Sequence, residues 1–238
     1  MQYWTGLAIL RQVCGELGLS KPSSLVGTID TSTDQILSLL NAAGNELVQY
    51  YPWEQFKRDF EFLTNGQPNY PVPDDWAYFT DQTQWDRTNH WPMLGPKSPQ
   101  EWAWMKGGLL VTAPRVRYRV MDNKLWLWPV ETTDTTLAME YTSKGWVLNV
   151  DDTIADMVTL DDQLVRFDPW LVVKFIKLKF YQLKAFDTSG VLSDFTRIFD
   201  ALTGKDVGAP ILSLNPRSPT IYIGPWSVPD GSWNTGQP

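Results

Sequence analysis

The amino-acid sequence predicts an α+β protein: an antiparallel four-helix core, an inserted β-rich lobe and an extended C-terminal arm. Three observations lead there. Apolar residues recur at helical spacing near the beginning of the chain and again between residues 170 and 202. The middle instead alternates β-branched and aromatic residues with turn dipeptides. After Gly204 the composition shifts to proline, glycine, serine and asparagine, with short apolar runs between them. The boundaries read from these shifts are a helical hairpin over 1–54, a β lobe over 55–150, a helical pair over 151–204 and an arm over 205–238.

A first helix is expected over 4–18, where Leu7, Ile9, Leu10, Val13 and Leu17 recur every three to four residues. Gly18 and the Lys21-Pro22 pair end it. A second opens at Ser32, with Gln35 completing a capping-box pattern. Ile36, Leu40, Ala43, Leu47 and Val48 share its apolar face until Pro52 forces Tyr51 out of helical geometry. Phe60, Phe62 and Tyr70 then sit in alternating runs around Asn65-Gly66, a hairpin-type pair. Further strands are expected at 116–120, 125–128 and 137–141, the first two joined through Asp122-Asn123. From Leu160 the helical pattern returns. Asp161 and Asp162 suit a helix start, where acidic side chains offset the dipole, and Asp168-Pro169 marks either a restart or a bend. The stripe of Leu171, Phe175, Leu178 and Phe186, widened by Ile176 and Phe180, predicts a helix buried between neighbours. A last helix over 189–202 carries Val191, Phe195, Ile198 and Phe199 and stops at Gly204. Helices of this length need tertiary packing to persist, so the four are expected to pack together.

The stretch over 81–105 breaks these patterns. It holds Trp85, Trp91, Trp102 and Trp104, with Trp76 just upstream, and is punctuated by Pro92, Gly95, Pro96 and Pro99. Proline removes amide donors, so no regular element runs through its middle. Indoles left in water would expose a large apolar area, so the stretch reads as an ordered loop pinned by buried rings. It closes with a helix at Ser98, where Pro99 occupies the first helical position and Glu101 completes a capping box. Asp86-Arg87 reads as an ion pair that locks the loop.

The string Trp85-Asp86-Arg87-x-Asn89-x-Trp91-Pro92-x-x-Gly95-Pro96-x-Ser98-Pro99-x-Glu101-Trp102 resembles a signature of the head-to-tail adaptor, or connector, proteins of short-tailed, podovirus-type bacteriophages. The likeness extends to residues 70–75 and to Met139-Glu140-Tyr141-x-Ser143-Lys144-x-Trp146-Val147, and weakly beyond Leu160, so that it covers 55–205. The resemblance implies a structural virion protein at the head–tail junction, assembled in the host cytoplasm. It implies a dodecameric ring beneath the portal protein that continues the DNA ejection channel, with DNA passing through the lumen without specific binding. Its lower rim would meet tail nozzle or fibre proteins, and its C-terminal arm would lie on the portal.

The arm's composition supports such a role. A simply disordered tail is poor in aromatic and β-branched residues, whereas this one holds Ile211, Leu212, Leu214, Ile221, Tyr222, Ile223 and Trp226. These are the expected portal contacts, made by an extended segment that adds a strand or fills pockets; the competing reading folds the arm over its own β lobe.

Charge and chemistry point the same way. Charged residues make up 20% of the chain, below the usual quarter, so a partner or a homo-oligomer is expected to cover part of the surface. A net charge of −7 disfavours gripping nucleic acid, which needs clustered cations, yet an acidic wall lets a duplex slide. Cys14 and His90 stand alone, which gives no disulfide and no metal spacing. No apolar run is long enough to span a membrane. Asp74-Asp75, Asp151-Asp152 and Asp161-Asp162 read as caps and turns, so no enzyme, cofactor or catalytic residue is expected. Arg115, Arg117 and Arg119 alternate along one strand face, a basic patch that meets an acidic partner face, phosphate or solvent. A Trp-rich carbohydrate-binding or tail-associated muralytic protein is the competing class; it requires exposed indoles along one sheet face or a pair of working carboxylates.

Overall fold

The computed structural model describes residues 3–26, 30–107, 115–130 and 134–206. In chain order these carry β1 (Trp4–Thr5), α1 (Gly6–Leu17), α2 (Thr31–Tyr50), β2 (Lys57–Leu63), β3 (Asn69–Pro71), β4 (Trp76–Phe79), β5 (Trp85–Asp86), β6 (Trp91–Pro92) and α3 (Pro99–Lys106). There follow β7 (Arg117–Met121), β8 (Lys124–Trp128), β9 (Thr136–Ser143), β10 (Val147–Leu148), β11 (Ile154–Ala155), β12 (Leu164–Val165), α4 (Pro169–Leu183) and α5 (Ser189–Asp206). The described residues fall into two compact units, 3–57 with 143–206 and 58–142.

The first unit is organised around α4. Asp168 caps it by accepting from the amides of Trp170 and Leu171, and Pro169 fills the first position, where no amide bond is needed. Of the two readings of Asp168-Pro169, the structure takes the helix start. Leu171, Val172, Phe175, Ile176 and Leu178 are buried on several sides of α4, and α1, α2 and α5 all pack against it. Thr5 caps α1, and Gly18, at φ 70°, ends it in the left-handed conformation that glycine adopts at least cost. Ile9, Leu10, Ile36, Leu40, Leu47 and Leu171 are completely shut off from solvent.

The expected antiparallel four-helix core does not form. Five helices are present among the described residues, and α3 belongs to the second unit. The first unit also contains an antiparallel sheet of its own, in the order β1-β12-β10-β11. The physical reason lies at α2. Trp146 is fully buried and occupies the space left by the missing side chain of Gly44, where a Cβ would stand 2.2 Å from Trp146 Cε2. The indole nitrogen donates to Asn45 Oδ1 at 3.0 Å. Trp146 therefore docks the segment around β10 on α2, and that face of the helix is covered by an indole. What stands is the mixed α+β class.

Several local expectations change with it. Asp161 and Asp162 start no helix; Asp161 Oδ1 instead accepts from the Leu25 amide at 2.6 Å. The adjoining loop is closed by the buried Gln163, whose Oε1 accepts from the amides of Thr159 and Leu160 while its Nε2 donates to Asn149. Asp30, not Ser32, caps α2. Phe186 leaves the α4 stripe, because the chain turns through Ala185 at φ 54° and sets Phe186 against the Tyr181 ring, 5.6 Å away. Gly204 does not stop α5, which continues to Asp206; one glycine costs an established helix only about 1 kcal/mol.

The second unit is two antiparallel sheets, β2-β9-β5-β6 with β4 also on β9, and β3-β8-β7. Asp122 and Asn123 close the β7–β8 hairpin at φ 53° and 50°, as a two-residue turn with both central residues left-handed requires. Asn65-Gly66 closes no hairpin: β2 pairs with β9 and β3 with β8, so the turn passes the chain from one sheet to the other. Tyr70, Met93, Tyr118, Leu125, Leu127, Leu137 and Met139 form one buried cluster drawn from both sheets.

Candidate functional site

The tryptophan-rich stretch is ordered by hydrogen bonds more than by apolar mass. β5 pairs with β6, Trp85 opposite Pro92 and Asp86 opposite Trp91, and on its other edge with β9. Asp86 is 3% exposed. Its Oδ1 accepts from the Asn89 amide at 2.8 Å and its Oδ2 from Asn89 Nδ2 at 2.7 Å. A carboxylate served at both oxygens holds the tip of the hairpin from inside, and bonds to an ionised acceptor are about twice as strong as neutral ones. The lock therefore runs from Asp86 to Asn89 rather than to Arg87, whose side chain is exposed. The tip is tied to β9 by the Arg87 amide donating to Thr136 O at 2.8 Å and by the Thr136 amide donating to Thr88 Oγ1 at 2.9 Å.

The next residues lie along β7. The Leu94 amide donates to Val116 O at 2.9 Å, Leu94 O accepts from the Tyr118 amide at 3.1 Å, and the Lys97 amide donates to Tyr118 O at 3.0 Å. Gly95 passes so close that a Cβ would stand 2.6 Å from Tyr118 O and 2.8 Å from its ring, which excludes any side chain. Pro96 follows it across a cis peptide bond. At α3 the capping box forms in both directions: Ser98 Oγ accepts from the Glu101 amide at 3.2 Å, and Glu101 Oε2 accepts from the Ser98 amide at 3.1 Å. That second bond, with Lys97 nearby, holds the Glu101 carboxyl below its ordinary pKa. Trp102 and Met105 are the buried residues of α3, and the Lys106 ammonium lies 5.6 Å from the Trp102 ring centre and 5.0 Å from that of Trp126.

The structure thus brings Trp85, Asp86, Asn89, Trp91 and Pro92 together in one hairpin, Gly95 and Pro96 onto β7, and Ser98, Glu101 and Trp102 to the head of α3. Ile211, Leu212, Leu214, Ile221, Tyr222, Ile223 and Trp226 lie outside the described residues. The arginine row is not one exposed patch. Arg117 is 9% exposed and its guanidinium sits 5.4 Å from the Trp128 ring centre. His90 is exposed at φ 58° beside the hairpin tip. Among the described tryptophans only Trp104 and Trp170 are exposed, each on a helix and in different units.

One polar cluster was invisible in the sequence. Asp75 accepts from Arg58 Nη1 at 2.8 Å and from the Tyr141 hydroxyl at 2.9 Å. Burial, reinforced by the bond to Asp75, pushes Tyr141 up to about 12, and Asp75 holds the Arg58 guanidinium above its ordinary value. The three residues are scattered over 58–141, and no short-range spacing links them. Asp151 caps a turn through the amide and hydroxyl of Thr153, whose bonds hold its carboxyl below the usual range. Among the described residues no group of three or more His, Cys, Asp or Glu side chains is gathered as a metal ion requires. No described helix is long and apolar enough to cross a membrane.

A family model described as SU10 adaptor protein matches residues 5–210. The chain belongs to that family. No curated protein matches the chain. As an SU10 adaptor protein it is a structural component of a bacteriophage virion, of a family that works with portal and tail components. The matched span includes the whole hairpin-to-α3 stretch.

Proposed function

We propose that this SU10 adaptor protein joins the portal to the tail as a dodecameric ring that continues the DNA ejection channel at the head–tail junction of a podovirus-type phage. The observation that carries the reading is the family match over 5–210, which takes in both units. A net charge of −7 suits a lumen through which DNA slides without being held. Exposed Leu183, Phe186 and Leu192, close in sequence at the α4–α5 connection, supply apolar surface for contacts between copies. The helices of 1–54 and 151–204 furnish those contacts, and the lobe of 55–150 faces tail nozzle or fibre proteins. The C-terminal arm lies on the portal through Ile211, Leu212, Leu214, Ile221, Tyr222, Ile223 and Trp226.

Mixing the full chain with purified portal rings and imaging the product tests this. A ring of adaptor copies capping the portal is expected. A chain ending at residue 207 is expected to keep its circular dichroism and lose ring assembly on portal. Normal portal binding by that truncation overturns the role of the arm; failure of the full chain to bind portal overturns the adaptor ring itself.

A further inference from the structure

In the first unit, Phe186 projects from the junction of the last two helices. α4 ends in a Schellman turn: the Phe186 amide donates to Tyr181 O at 2.9 Å and the Ala185 amide to Gln182 O at 3.1 Å, with Ala185 left-handed at φ 54°. The ring leans edge-on against Tyr181, yet 55% of the residue still faces solvent. Leu183, at the end of α4, is 57% exposed. A phenyl ring on a turn fixed by two backbone bonds loses little freedom when it docks, so it is a preformed anchor.

The same helix pair carries a receptor at its other end. A recess of about 180 Å³ lies where the start of α4 meets the end of α5. Trp53, Phe167 and Leu171 back it; Gln55 and Leu202, both half-buried, are the surface that an incoming group meets. The Trp53 nitrogen already donates to Leu47 O at 2.8 Å, so the backing asks for no polar partner. An apolar cavity of about 150 Å³ accepts a benzene molecule, and this recess therefore has room for one phenyl ring.

Charge fits as well as size. Lys205, Asp168 and Asp206 also line the recess, and both carboxylates are held in place: Asp168 caps α4, and Asp206 Oδ2 accepts from the Glu54 amide at 3.0 Å. Beside the anchor stand exposed Lys184, which makes no ion pair among the described residues, and Asp187, which is fixed by the amide and hydroxyl of Ser189. Each charge on the turn thus has an opposite at the recess. Anchor and recess lie at opposite ends of one helix: at about 1.5 Å per residue, Leu171 and Leu183 are about 18 Å apart along α4. Phe186 cannot reach the recess of its own chain.

We infer that Phe186 of one copy seats in the Leu202 recess of the next, with Lys184 paired to Asp206. The inference rests on the ring proposed above and names a contact that builds it. Such a contact is heterologous: every copy gives its anchor to one neighbour and receives that of the other, and the series closes as a ring when the rotation between copies allows.

Full-length variants test the contact, with circular dichroism to check folding. Phe186→Ala removes the anchor and Leu202→Trp fills the recess. Each alone is expected to self-associate at least roughly tenfold more weakly than the natural chain in sedimentation. Mixed in equal amounts they are expected to form a one-to-one complex and nothing larger, because the first keeps only a recess and the second only an anchor. Should Leu202→Trp misfold, a charge exchange carries the test: Lys184→Glu and Asp206→Lys each weaken association, and the chain with both recovers it. Natural strength in Phe186→Ala overturns the contact, and so does a double exchange that fails to recover. A loss in Phe186→Ala beside natural strength in a folded Leu202→Trp gives the recess to another segment, the chain's own arm included, and overturns the second copy as its occupant. A mixture that grows beyond the pair shows that another surface joins the copies, which also overturns it. Portal capping by the natural chain, imaged in parallel, reports on the adaptor ring separately. Its loss sinks that reading, whereas capping by a natural chain that stays monomeric in sedimentation sinks this one alone.

Discussion

In the unit of residues 3–57 and 143–206, α4 is wrapped by three helices, and side chains from Ile9 to Leu171 are fully sealed from water. In the unit of residues 58–142 the buried apolar cluster is small, and much of the backbone is pinned by polar closures. Those are Asp86 on Asn89, Ser98 with Glu101, and Asp75 between Arg58 and Tyr141. The difference teaches where each unit keeps its order. Apolar burial is cumulative and tolerates conservative exchange, whereas a closure depends on two or three named atoms. The residues of the adaptor-like signature lie in the second unit for that reason: they fix a path for the backbone rather than fill a core.

The hardest way to break the first unit is through Trp146. Replacing it with alanine removes a fully buried indole and its bond to Asn45, and is expected to destabilise the unit by about 4 kcal/mol, read as the shift of its calorimetric transition. Adding Gly44→Ala to that variant is expected to cost less than in the natural chain, because the Cβ then enters the vacated space. Strict additivity would show that Gly44 and Trp146 are not coupled and that the docking account of the small sheet is wrong.

The corresponding test in the second unit is Asp86→Ala, expected to cost about 2 kcal/mol because two donors of Asn89 lose a sealed acceptor. Asp86→Asn keeps one acceptor oxygen and is expected to cost less, and Arg87→Ala, at an exposed side chain, less than about 0.5 kcal/mol. Denaturant unfolding followed by tryptophan fluorescence measures all three. An Arg87→Ala effect as large as that of Asp86→Ala would restore the Asp86–Arg87 ion pair as the lock.

How much of this was legible in the sequence follows the same division. Periodicity located α1, α2, α4 and α5, because a buried helix must repeat its apolar residues. The capping box at Ser98 was readable because its partners are three residues apart. The small sheet of the first unit was not. Its strands are two residues long, too short for any alternation to declare itself, and what holds them is Trp146 meeting Gly44 across about a hundred positions of chain. Asn65-Gly66 misled for a related reason: a turn dipeptide reports that the chain reverses and is silent on which strand receives it.

The gentlest probe of the polar closures is Tyr141→Phe, and it carries a pH signature that apolar packing cannot mimic. Asp75 keeps Arg58 when the hydroxyl is removed, so the loss is that of one hydrogen bond, about 1 kcal/mol near neutral pH. The folded state holds Tyr141 up at about 12, against about 10 in an unfolded chain. Below pH 10 the phenol is protonated in both states and its contribution is fully present. Between pH 10 and 12 unfolding releases its proton, so stability is expected to fall as pH rises through that window, and the fall is expected to be shallower in Tyr141→Phe. Tyrosinate absorbance provides an independent check: one late-titrating phenol is expected to disappear with the substitution. If the natural chain and the variant lose stability in parallel from pH 10 to 12, the Asp75–Tyr141 bond does not hold the folded unit, and the contrast between its closures and the neighbouring core would rest on Asp86 and the α3 cap alone.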